Sequence, residues 1–468
     1  MALINNKTGC VPRRILGTLL SSLSAGVVPR VGAPYIAIGR GEEITSLVTS
    51  LDRTADGEGA TKFIIGRYGS GKSFLIQLSR GYALERGFVT ADCDLSPERK
   101  LSGRGGGGLA TYRELIKNLA TKSSPDGGAL PVILGKWFTK IGEEVRESGI
   151  SERDPAYDAE FLRRITKNLR ELEADVGGFD FSAVLREYYT AWREDDGERE
   201  SACIKWLRGE YNTRTEARGA LGIRSISIIS DDNWYDYVKL ICSFVRLAGY
   251  RGLCVFIDEC VNLYKIPNRI SRENNYEKIL SMFNDTMQGR APGLMIIFGG
   301  TPQFLEDNRR GLFSYEALKS RLSDGKFGGE LRSLMQPVIR LRRLSDSELL
   351  ALVLRLASLH GEYYKWEVRV TEDDMRAFLS STLSREGAES MITPREIIRD
   401  FVTILDLLYT NPDKSFADIA GGSARSTAPS SVDEADADYA LADAPAEANP
   451  APTVQTEKPK ITLDDIEF

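Results

Sequence analysis

"FIIGRYGSGKSFLI", residues 63–76, decides how the rest of the chain is read. An apolar run ends at a glycine, a short loop follows, and a lysine and a serine lead into a second apolar run. Gly66, Gly71, Lys72 and Ser73 satisfy G-x-x-x-x-G-K-[ST] in full. Glycines let successive main-chain N–H groups curl around phosphate oxygens without Cβ clashes. A helix opening near Ser73 turns its positive end to the anion. Lys72 reaches the β- and γ-phosphates, and the Ser73 hydroxyl is offered to Mg2+. The expected nucleotide contacts are therefore Gly66, Arg67, Tyr68, Gly69, Ser70, Gly71, Lys72, Ser73 and Phe74. The alternative is a structural glycine turn. The flanking pattern argues against it, because a strand precedes the loop and a helix follows.

"LCVFIDE", residues 253–259, is the second element. A strand this apolar belongs inside a parallel sheet, with its C-terminal end beside the loop. Asp258 is then placed to hold Mg2+, directly or through its water. Glu259 is placed to polarise a water for in-line attack on the γ-phosphate. Two acids capping a surface turn would be the plainer reading. The Asp-Glu pair favours hydrolysis over transfer to a substrate hydroxyl.

"LMIIFGGTP", residues 294–302, ends in Thr301, a polar tip suited to contact the attacking water or the γ-phosphate, unless it is only a turn. Arg395, near the start of a later helix, is the candidate for reaching the nucleotide within the same subunit. Arg309, Arg310 and Arg321 lie downstream of Thr301. Arg321, then Arg310, is favoured to reach a neighbouring subunit's γ-phosphate in trans. Each of these arginines has an ordinary surface role as its alternative.

The chain has 468 residues, 42% of them apolar, enough for two or three domains with a large core. No stretch approaches the ~18 apolar residues of a membrane span, and the N-terminus lacks a signal-type apolar region. A cytoplasmic location is the default expectation. Six cysteines form no CxxC pair and read as reduced, buried thiols without zinc. His360 is the only histidine, so His-based triads and multi-histidine metal sites are excluded; it is expected on a helix surface. Residues 421–468 hold ten acidic and three basic residues, a balance of −7 against −6 for the chain, which leaves the body near +1. Such a body does not advertise strong non-specific nucleic-acid binding.

The pattern divides as follows. Residues 1–60 read as an N-terminal helical and extended linker segment. Residues 61–342 read as an α/β core of P-loop type, with a helical insertion, or small helical domain, over about 128–220. Residues 343–412 read as a helical lid opened by an S-x-x-E capping box at Ser345 and Glu348, with a second box at Thr393 and Glu396. Residues 421–468 read as a disordered acidic tail. Its end, "KITLDDIEF", carries Leu463, Ile466 and Phe468 among acids and is a candidate docking motif. "GRGGGG", residues 103–108, is expected to be a hinge rather than a loop approaching a phosphate. "IRLRRLSD" is expected to be a charged strand edge rather than a nucleic-acid contact through Arg340, Arg342 and Arg343.

Taken together, "IAIGRGEEITSLVTSL", "GRYGSGKSFLI", "VFIDE", "IIFGGTP" and a helical lid resemble AAA+ ATPases. The leading G-R-x-E-E resembles the segment that AAA+ proteins of the origin-recognition type carry before the phosphate loop. More narrowly, "RRILGTLLSSLSAGVVP", "ATYRELIKNLAT", "WLRGEYNTRTEARGALGI", "AGYRGLCVFIDE" and "RRGLFSYEALKSRL" resemble the ATP-binding proteins of BREX (bacteriophage exclusion) and related defence systems, over about residues 10–410. The resemblance implies an AAA+-type fold, ATP and Mg2+ as ligands, and an antiphage role beside a helicase-like protein, a methyltransferase or a nuclease. It implies ATP-dependent homo-oligomerisation and action on DNA or a DNA-bound complex. The alternative is a low-turnover nucleotide switch or scaffold that recruits such partners.

Overall fold

The computed structural model describes residues 11–103, 105–323, 335–384 and 393–423. Cys10, Arg104, the acidic stretch from 424 onward and its terminal "KITLDDIEF" lie outside the described residues. Two compact units divide after Phe416. The second is described only through the end of the helix Phe416–Ser423.

In the first unit, five strands form one parallel sheet: β1 (Ala60–Ile65), β2 (Val89–Asp94), β3 (Leu253–Asp258), β4 (Leu294–Gly300) and β5 (Val338–Arg340). Their order is β2-β3-β4-β1-β5. Every residue of β3 and β4 is buried. Strands this apolar on both faces need helices on both sides. Alternate side chains duly point opposite ways. Ile64, Cys254, Phe256 and Ile297 join one core with the helices Gly41–Ala55 and Lys72–Glu85. Phe63, Val255, Ile257 and Phe298 join the other, with the helices Trp234–Leu247 and Arg269–Met287. This is an α/β fold of P-loop NTPase type. Because β4 sits between β1 and β3, Ile65 pairs with Gly300 and Ile257 with Phe298. The loop after β1 and the acids ending β3 therefore open on the same sheet edge.

Between β2 and β3 the chain forms the helices Leu130–Glu147, Tyr157–Leu169, Gly178–Arg193, Gly197–Leu207 and Arg214–Leu221. Their aromatic interior, where Phe161 stacks on Tyr189 at 4.1 Å, is continuous with the core on the second face of the sheet. The glycine run before them is anchored at its C-terminal end. The Asp231 carboxylate accepts from Gly106 N–H at 2.6 Å and Leu109 N–H at 2.8 Å. A Cβ on Gly108 would lie 2.6 Å from Trp234 Nε1.

After β5 come the helices Asp346–Tyr364, Glu372–Leu383 and Pro394–Thr410. Both expected capping boxes are formed, and Thr371 with Asp374 makes a third. The N-terminal helix Arg13–Ser24 packs on the first and last of these helices, with Leu16, Leu19, Leu20 and Leu23 buried. Val11 N–H donates to Glu362 Oε1 at 2.8 Å. Arg340 pairs with Glu306 and Arg342 with Glu348, in keeping with a charged strand edge.

The expectation for His360 is corrected: it is fully buried, not on a helix surface. It continues the buried stripe of Val353, Leu356 and Ala357 along its helix. The indole N–H of Trp366 can only donate, and it does so to His360 Nδ1 at 3.0 Å, so Nε2 carries the proton and donates to Asp406 Oδ1 at 3.0 Å. Cys93, Cys203, Cys242, Cys254 and Cys260 are free and buried, as expected.

Candidate nucleotide-binding site

β1 ends at Ile65, and Gly66 N–H donates to Gly300 O at 3.1 Å, which ties the start of the glycine loop to the end of β4. Gly69 has φ +70° and faces the lid: a Cβ there would stand 2.1 Å from Thr393 Cγ2. Gly71 has φ +93° and caps the helix Lys72–Glu85 from the left-handed region that glycine occupies freely. Lys72 Nζ donates to Arg67 O at 3.0 Å, folding back over the loop. Ser73 Oγ donates to Asp258 Oδ2 at 3.1 Å, joining the loop helix to the end of β3.

Asp258 is buried, and its Oδ1 accepts from Glu259 N–H at 2.8 Å. A Cβ on Gly299 would come within 2.2 Å of that same oxygen, so the carboxylate fits only because β4 carries glycine there. Glu259 has φ +56°, rare for a residue with a Cβ. Asn262 Nδ2 donates to Leu95 O at 2.9 Å and to Glu259 O at 3.3 Å, which helps to hold that turn. Glu259 keeps an exposed surface in the cleft, yet partial desolvation raises its pKa, neighbouring Asp258 raises it further, and Lys72 opposes. Burial lowers the Lys72 pKa, with Asp258 and Glu259 pulling the other way.

One cleft is lined by residues 68–74, Asp258, Glu259, Gly299, Gly300 and Thr301, together with Pro394 and Arg395 from the lid. Gly66 and Arg67, from the same list of expected contacts, are not among its lining residues. Thr301 reaches the lining while its Oγ1 accepts from Phe304 N–H at 3.3 Å, so it also caps the short helix Pro302–Glu306. Arg310 and Arg321 do not line this cleft. The Arg310 guanidinium donates to Tyr264 O at 3.3 Å and lies 5.3 Å from the Tyr264 ring centroid. Arg321 is exposed and donates to Ala317 O at 2.7 Å.

One part of the site, and an acid beside it, were passed over in the sequence. The cleft also has an apolar lining, built by Leu23, Val28, Pro29, Ile36, Leu352 and Ile398. Asp94, at the end of β2, lies in register with Asp258. Asp94 does not line the cleft and its surface is exposed, but partial desolvation raises its pKa, and the Asp258 charge adds to the rise. The signal for Asp94 was present in "FVTADCDLS", a second strand ending in an acid.

The parallel sheet, the glycine loop leading into a helix and the acids at the neighbouring strand end define a P-loop NTPase-like protein. Within that class, the chain belongs to the family of BREX system ATP-binding proteins BrxC/D, whose model matches residues 11–423. It is thus an ATP-binding protein of a BREX defence system, and membership implies the system's other components as partners. No curated protein matches the chain. Among the described residues, no helix is long and apolar enough to cross a membrane.

Proposed function

We propose that this chain is a Mg2+-dependent ATPase that acts in the cytoplasm. The observation that carries the reading is the hydrogen bond between Ser73 Oγ and Asp258 Oδ2, two residues 185 positions apart. A hydroxyl and a carboxylate meeting beside a glycine loop are the oxygen donors that Mg2+ takes alongside phosphate oxygens. The cation, when bound, neutralises charge on the phosphates. The loop amides cradle the phosphates, and Lys72 Nζ exchanges Arg67 O for a phosphate oxygen. Glu259 takes a proton from the attacking water onto its carboxylate, and its raised proton affinity suits that work. Thr301 orients the water or the γ-phosphate, and Arg395 reaches the phosphates from the lid. Arg321, and after it Arg310, serves the nucleotide of a neighbouring copy, which fits their positions outside the cleft of their own chain. ATP binding then promotes a homo-oligomer, and turnover remodels DNA or a DNA-bound complex with a helicase-like, methyltransferase or nuclease partner.

The test is calorimetry and turnover on two variants. Lys72→Ala is expected to lose ATP binding. Glu259→Gln is expected to bind ATP with turnover reduced by about 100-fold or more, the usual worth of a general base. Wild-type turnover in Glu259→Gln would sink the assignment of the base.

A further inference from the structure

Arg40 has no part in this mechanism, yet only 4% of it is exposed. It belongs to "GRGEE", residues 39–43, and stands immediately before the helix Gly41–Ala55. Its guanidinium spans three groups. Nη2 donates to Ser70 O in the glycine loop at 2.9 Å, and Nη1 donates to Arg342 O, just after β5, at 2.9 Å. Nη1 also lies 3.4 Å from Oε1 of Glu43, itself buried. Burial lowers the Arg40 pKa, against the pull of Glu43, but a guanidinium keeps its charge in proteins.

The Ser70 contact bears on how a phosphate loop works. For the loop's N–H groups to face a phosphate, intervening carbonyls must face away from it. A carbonyl turned into the protein needs a donor, and Arg40 supplies one to Ser70. The Arg342 contact leads to the lid. Arg342's own side chain pairs with Glu348 on the first lid helix, at 2.6 Å and 2.5 Å. Next to Arg40, Gly39 has φ +72°, and a Cβ there would stand 2.7 Å from both Glu348 Cδ and Leu344 Cδ2. The segment is wedged between the root of the lid and the loop.

We infer that Arg40 is a positioning residue whose planar fork fixes the peptide orientation of the phosphate loop and ties the loop to the strand end from which the lid begins. Lid placement and phosphate grip are thereby coupled. The inference rests on the reading that the cleft takes ATP. A lysine in the same place would keep the charge but not the fork, because an ammonium does not reproduce two diverging in-plane donors.

The experiment compares the full-length wild type with Arg40→Lys, by Mg-ATP titration calorimetry and by amide hydrogen exchange without nucleotide. The expected Kd rises about tenfold, the worth of one charge-assisted hydrogen bond. Peptides covering residues 66–71 and 342–348 exchange faster, while β3 exchanges as in the wild type. Unchanged Kd and unchanged loop exchange would overturn the inference. So would equal acceleration across β3, the mark of general loosening. Should Arg40→Lys fail to fold, the double variant Arg40→Gln with Glu43→Gln removes both charges of the buried pair and is judged by the same readouts. If the wild type itself gave no heat with Mg-ATP, the ATP reading would fail, while faster loop exchange in the variant would still report the anchor.

Discussion

Glu259 is held at φ +56°, where a residue with a Cβ pays on the order of 1 kcal/mol. The Asp258 carboxylate on its N–H and the Asn262 amide on its carbonyl hold it there. Such strain persists where the surroundings over-determine the backbone, and it is found where chemistry needs a side chain aimed in one direction. Two substitutions separate the backbone from the carboxylate. Glu259→Gln and Glu259→Gly both remove the proposed base, but only glycine releases the strain. Thermal unfolding of the two is expected to place Glu259→Gly at or above Glu259→Gln in stability, by up to about 1 kcal/mol, offset in part by glycine's unfolded-state entropy. A clear drop for the glycine variant would mean that φ is not strained in the protein. Loss of turnover in both, with a more stable glycine variant, would mark the proposed site as one where stability is given up for function.

Strand β1 carries a charge that its sequence disguises. Lys62 alternates with Thr61 and Phe63 in "TKFII" and looks like a surface lysine, yet it is buried to 4% exposure. Its Nζ donates to Gln336 O at 2.8 Å and to Ser46 Oγ at 3.3 Å. Burial pulls its pKa down to about 8, and nearby Arg53 adds to the fall. Below pH 8 the lysine is charged in both the folded and unfolded chains, and the folded one bears the cost of burying the charge. Between about 8 and its ordinary value near 10.5, the folded chain has shed the proton and the unfolded chain has not. The contribution of Lys62 to stability therefore rises across that window, by up to about 3 kcal/mol. Lys62→Met isolates it: the wild-type minus variant stability should climb between pH 8 and 10.5. A flat difference would contradict the burial of that charge. The same lesson appears at His360, where the helical period runs through a buried histidine that its residue type alone assigns to the surface.

At the scale of the whole molecule, what could be read in the sequence is what is continuous in the chain. Residues 60–73 and 253–259 each carry strand, turn and motif in one uninterrupted stretch, so local rules suffice to read them. The lid helices announce themselves through capping residues. The apolar lining of the cleft could not be read this way. It gathers Leu23, Val28 and Pro29 from the first segment, Ile36 from a 3-10 turn, and Leu352 and Ile398 from two lid helices. Each of these looks like ordinary core in its own window, and only the docking of Arg13–Ser24 on the lid brings them together. Residues 1–60, expected to be a linker, thus supply a wall of the site. A phosphate loop and an apolar recess lining one cleft match a nucleotide's charged and planar halves, and the proposed ATP reading puts the base in the recess. Val28 is half-buried in that lining, so Val28→Asp sets a carboxylate against the base without cutting into the core. Desolvating that charge on binding should weaken ATP by about 10- to 100-fold, with the unfolding midpoint nearly unchanged. Wild-type affinity in a folded Val28→Asp would show that the base lies elsewhere.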